Sequence, residues 1–99
     1  MSASDPEAMK RTWETVMDGY VRTQHGRTLA RCVSATKDKA LATLKTKKLA
    51  ETQPADFLHA LKAGSVATNV YLRRFHSFAI GMNWLSRAVL PQKQWPAIR

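Results

Sequence analysis

Cys32 is the only cysteine among 99 residues, so no internal disulfide can form. Its neighbours Leu29 and Val33 are apolar, and Cys32 reads as a small core residue suited to a reducing cytoplasm. Glycine is equally sparse. Gly19, Gly26, Gly64 and Gly81 stand alone, which excludes a glycine-rich phosphate loop. His25, His59 and His76 are far apart, and no HxxxH or CxxC spacing offers a metal site. After Asp38 the only acids are Glu51 and Asp56, a poor basis for paired-carboxylate chemistry. No apolar run approaches the ~20 residues that span a bilayer. The first residues, Met1 to Glu7, lack the basic and then apolar pattern of a signal peptide. These gaps argue against an enzyme, and no cofactor or metal is expected. A Cys32–histidine nucleophile would need a chance tertiary meeting.

Acidic residues are the other shortage. Sixteen Lys and Arg face seven Asp and Glu, leaving a formal charge of +9. So much charge on a small chain repels itself unless a polyanion neutralises it, and nucleic acid is the first candidate. The excess is concentrated. Between residues 26 and 49 lie Arg27, Arg31, Lys37, Lys39, Lys45, Lys47 and Lys48, with Asp38 as the single acid. Residues 1–25 hold more acids than bases.

The hydrophobic pattern predicts four helical segments and no strand. The first begins near Pro6, where Ser4 and Glu7 have capping-box spacing. Met9, Trp13, Val16 or Met17, and Tyr20 mark its inner face, and it fades towards Gly26. The second runs from about Arg27 to Leu44, with Leu29, Cys32, Val33, Thr36, Ala40 and Leu44 on one face. Asp38 is either interior to it or an N-cap that divides it. The loop Lys45-Thr46-Lys47-Lys48 follows. The third is short: Pro54 and Asp56 suit a first turn, Phe57 or Leu58 and Leu61 face inward, and Gly64 stops it. The fourth starts at Ser65 or Val66. Ala67, Tyr71, Leu72, Phe75, Phe78, Ala79, Met82 and Leu85 share one arc at 100° per residue. Ser65, Asn69, Arg73, His76 and Asn83 fall opposite, with Ser77 beside them. Pro91 and Pro96 then bracket an extended segment, in which Trp95 either anchors something outside the domain or folds back on it.

Asn69, Arg73 and Ser77 recur every fourth residue and line one helix edge. Asn pairs with adenine, Arg with guanine, and Ser reaches phosphate. Ser65 and Thr68 lie where free backbone N–H groups attract phosphate. With the basic middle segment, that stripe favours duplex DNA over an ordinary solvated face.

The wording resembles the core-binding (SAM-like, N-terminal) domain of tyrosine recombinases, the phage integrase family. Residues 48–57, Lys48-Leu49-Ala50-Glu51-Thr52-Gln53-Pro54-Ala55-Asp56-Phe57, are similar to the start of that family's third helix. Residues 65–75, with Phe78-Ala79, are similar to its closing helix, and Val89-Leu90-Pro91 stands where the family leads into its catalytic domain. Gln53 departs from the usual Thr before Pro54, which leaves Thr52 as an alternative cap. Thr52 also occupies a position where the family prefers a β-branched apolar residue.

The resemblance implies an all-α, compact bundle of four helices over residues 1–88, with residues 89–99 an extended linker towards an absent catalytic domain. It implies that the second and fourth helices face DNA, through Arg27, Arg31, Lys37 and Lys39 and through Ser65, Thr68, Asn69, Arg73 and Ser77. It places the catalytic residues in another domain, so this chain by itself neither cuts nor joins DNA. The expected partners are double-stranded DNA and that catalytic domain, with a tetramer on DNA for the full-length protein and a monomer for the isolated domain. No membrane partner is expected. Two rivals remain: a stand-alone helical DNA-binding regulator, which requires a stable dimer on a palindromic site, and a helical protein-interaction adaptor built on Trp84 and Trp95.

Overall fold

The computed structural model describes residues 10–96, and the expected cap at Ser4, Pro6 and Glu7 lies outside them. Within this span the protein is all-helical. Five α-helices are present: α1 (Trp13–Val21), α2 (Gly26–Thr36), α3 (Ala42–Lys45), α4 (Pro54–Ala63) and α5 (Val66–Gly81). Short 3-10 turns occupy Lys39–Leu41, Leu49–Glu51 and Gln92–Gln94.

α1 buries Trp13, Val16 and Met17, the spacing of one helical face. Gly26 opens α2 with φ +60, a conformation glycine adopts without a Cβ clash. The long segment expected over residues 27–44 is divided. Asp38 Oδ1 accepts the Ala40 backbone N–H at 2.9 Å, so the chain caps a new turn there. α3 begins at Ala42, four residues after Asp38, and sends Leu44 into the core.

α4 begins as the proline and acid require. Pro54 occupies the first turn, and Asp56 Oδ2 accepts the Gln53 backbone N–H at 2.8 Å. Gln53 is therefore the cap, and Thr52 is not. Thr52 is buried beneath the loop and accepts the Trp13 indole N–H at 2.8 Å while donating to the Lys48 carbonyl. The hydroxyl thus does what an apolar residue could not do at that position. Phe57 faces inward, and Leu58 is exposed.

α5 is the central helix and packs against α1, α2 and α4. Leu72, Phe75 and Ala79 are buried as the arc predicts. It stops at Gly81, because Asn83 turns into the left-handed region at φ 63 and the Trp84 N–H returns to the Ala79 carbonyl. Met82 and Leu85, assigned to the arc, lie beyond that end, and Ala67 is exposed.

The core gathers Trp13, Val16 and Met17 of α1, Leu41 and Leu44, Leu49, Phe57 and Ala60 of α4, and Leu72, Phe75 and Ala79 of α5. It also includes Leu90 from the tail, 1% exposed. The expected boundary at residue 88 is therefore crossed by the core, and residues 89–96 are packed on the helices instead of standing off as a linker. One backbone stitch matters for the basic loop. Thr12 and Lys48 form an antiparallel bridge, with the Leu49 N–H on the Arg11 carbonyl at 2.9 Å. It holds the loop against the start of α1.

Candidate nucleic-acid interface

The predicted basic and polar residues do not form one uninterrupted face. Arg27 and Arg31 are one helical turn apart and exposed on α2, with Lys37 exposed at its end and Lys39 on the following turn. Arg31 meets the first turn of α5. Arg31, Ser34 and Asp38 line a cavity of about 490 Å³ together with Ser65, Thr68 and Tyr71. Three of the predicted residues (Arg31, Ser65 and Thr68) are thus brought to one place.

A hydrogen-bond chain fixes this junction. The Ser65 backbone N–H donates to the Thr68 hydroxyl at 2.9 Å, and that hydroxyl donates to Asp38 Oδ2 in a very short contact. Ser65 and Thr68 form a reciprocal cap on α5. Gly64 is required beside it, since a Cβ there would lie 2.3 Å from the Thr68 hydroxyl oxygen. Thr68 is buried, so its hydroxyl serves the cap and does not face a ligand. Ser65 is exposed and remains accessible at the helix start.

Arg74 belongs to this region and was not among the predicted residues. It is exposed, its guanidinium lies 5.1 Å from the centre of the Tyr71 ring, and its charge is felt at Cys32 on α2. Burial pushes the Cys32 thiol up, and Arg74 opposes that shift only in part, so Cys32 stays a neutral core group. The signal for Arg74 was available: it is one position beyond Arg73, and helix geometry turns it 100° towards α2.

The loop bases have other duties. Lys47 pairs with Asp56 Oδ1 at 2.9 Å, the only ion pair among the described residues. Asp56 is held below its ordinary range by the Gln53 backbone N–H first and by Lys47 second, with burial acting against both. Lys47 therefore closes α4 against the loop and already has a partner of opposite charge. Lys39 and Lys47 share a groove of about 180 Å³ with Asp56 and His59. Lys45 is half-buried and Lys48 exposed, with no side-chain partner among the described residues.

The stripe on α5 departs most from expectation. Asn69 and His76 are buried at 7% and 6% exposure. The tail lies over them. Arg73 Nε donates to Asn69 Oδ1 at 2.6 Å, Arg73 Nη2 donates to the Pro96 carbonyl at 2.8 Å, and Asn69 Nδ2 donates to the same carbonyl at 3.1 Å. Trp95 stacks beneath the Arg73 guanidinium and against His76 and Phe57. Its indole N–H donates to the Leu90 carbonyl at 3.0 Å. Trp95 is thus the residue that folds back. Of Asn69, Arg73, His76 and Ser77 only Ser77 is exposed, beside a cavity of about 410 Å³ between α5 and the tail.

His76 Nε2 accepts the Val89 backbone N–H at 3.0 Å. Burial lowers the pKa of His76, so the ring is neutral and able to accept. Among the described residues no group of three or more His, Cys, Asp or Glu could hold a metal ion, and no helix is long and apolar enough to cross a membrane.

Comparison of the chain with protein-family profiles, with curated proteins and with solved structures returned no match.

Proposed function

We propose that this chain is a duplex-DNA-binding module that grips phosphates through α2 and the start of α5. One observation carries the reading. Arg27, Arg31 and Arg74 are exposed around the α2–α5 junction, and the only ion pair among the described residues is elsewhere, at Lys47–Asp56. Cations with no ion-pair partner among the described residues, on a chain of formal charge +9, favour a polyanion. The exposed Ser65 hydroxyl and the Val66 and Ala67 backbone N–H groups, which the reciprocal cap does not use, add neutral phosphate donors.

The narrower reading is the core-binding domain of a site-specific tyrosine recombinase, acting in DNA integration or recombination. It rests on the wording of residues 48–57 and 65–79. In that role the chain positions duplex DNA and is not catalytic by itself, a separate domain of the full-length protein does the chemistry, and assembly to a tetramer takes place on DNA. The adaptor alternative loses its main support, because Trp84 and Trp95 are packed against the core and do not stand out as anchors.

Fluorescence anisotropy with a labelled duplex across a salt series tests the proposal. Micromolar binding that weakens steeply as salt rises is the expected result. Absence of binding at low salt, both by the unmodified chain and by variants that uncover the same face, removes the DNA reading. Binding that ignores salt removes the phosphate grip.

A further inference from the structure

We propose that residues 89–96 form a strap that competes with DNA for Asn69 and Arg73, holding this edge of α5 in a closed state until the strap lifts. The inference rests on the DNA-binding reading above and adds a gate to it.

The Pro96 carbonyl sits where a ligand oxygen would sit. It accepts from both Arg73 Nη2 and Asn69 Nδ2, so one backbone oxygen occupies both donors of the stripe. A carbonyl is a neutral acceptor, and a phosphate oxygen is a stronger one for a guanidinium. DNA can therefore replace the contact with a better one, provided the strap can leave.

The attachments of the strap are few and local. Leu90 is its one fully buried side chain, Trp95 is half-buried, and among the described residues no α-helix lies beyond Gly81. Apart from the two Pro96 contacts, a single hydrogen bond ties its backbone to α5, from the Val89 N–H to His76. The Trp95 indole bond is internal to the strap and is kept only while the strap holds its turn. A segment of this kind opens at less cost than the helices beneath it. Trp95 is the main brake, because its ring touches Phe57, His76 and the Arg73 guanidinium together.

The apparent affinity of a gated site is reduced by the fraction of molecules that are open. Loosening the strap should therefore tighten DNA binding, the reverse of what loss of a DNA-contacting aromatic would do. Trp95→Ala is expected to bind a short fluorescein-labelled duplex about tenfold more tightly than the unmodified chain. Trp95→Phe keeps a ring on Phe57 and His76 but loses the indole donor, and should fall between the two. Thermal melting followed by circular dichroism verifies that each variant is folded. In the unmodified chain, adding duplex should deprotect the Trp95 indole N–H and the Val89 amide in hydrogen exchange.

Duplex binding with both protons still protected, or with Trp95→Phe and Trp95→Ala no tighter than the unmodified chain, overturns the strap and leaves the DNA reading standing. Failure of all three proteins to bind duplex at low salt overturns both. Binding by Trp95→Ala alone supports the strap.

Discussion

Thr52 accepts a buried hydrogen bond and His76 a part-buried one, and each can be removed with little change of shape. Thr52→Val keeps the volume but strands the indole N–H of Trp13, which is 0% exposed. A buried donor left without a partner costs about 1–3 kcal/mol. The variant should lower the urea midpoint by a corresponding amount with its slope unchanged; an unaltered midpoint would show that the indole finds another partner. His76 gives a pH dependence. Its pKa is lowered by burial in the folded chain and returns to about 6.5 on unfolding. The unfolded state therefore binds the proton more readily, and stability falls as pH drops. The contribution is complete above about 6.5 and is lost as pH falls through the lower folded value. Asp56 is also lowered, but from the carboxylate range, so its loss belongs to more acidic solution. His76→Gln retains an acceptor that does not titrate. Its urea midpoint should change less between pH 8 and pH 5 than that of the unmodified chain, and parallel curves would remove His76 as the source.

At the scale of helices, what was legible in the sequence was local, and what was not came from partners far along the chain. The start of α4 could be read because Pro54 and Asp56 act within one turn. Gln53 was the better cap there because Thr52 is engaged by Trp13, 39 residues earlier. Asp38 admitted two readings because its deciding partners are Ala40 and Thr68, and Thr68 is 30 residues away. Periodicity placed Leu72, Phe75 and Ala79 inside correctly. It set Asn69 and His76 outside, because the period of one helix carries no information about a tail that covers its far side. Asp38→Ala tests the junction. It removes the cap on the Lys39–Leu41 turn and strands the Thr68 hydroxyl, for an expected loss of about 1–2 kcal/mol in urea unfolding. An unchanged stability would mean that the break between α2 and α3 is set by packing alone.

At the scale of the whole molecule, composition announced the positive charge and the fold decides where it acts. Seven bases between residues 26 and 49 looked like one basic segment, yet they divide. Lys47 is spent on Asp56, Lys48 lies beside the start of α1, and Arg27, Arg31 and Lys37 follow α2. Arg74 joins that last group from α5, across Tyr71. Each phosphate neutralised releases condensed counterions, so the slope of log affinity against log salt falls by about 0.9 per contact in B-form DNA. If α2 grips the backbone, the double variant Arg27→Ala and Arg31→Ala should make that slope shallower by about two, with affinity reduced on all sequences alike. Lys93→Ala, from the turn in the tail, removes one charge but no predicted contact and serves as the reference. A double variant whose slope matches this reference would move the phosphate grip away from α2. A slope shallower by about two for the double variant, with none lost by the reference, would locate it there, since both proteins keep a large formal charge, +9 less two and +9 less one.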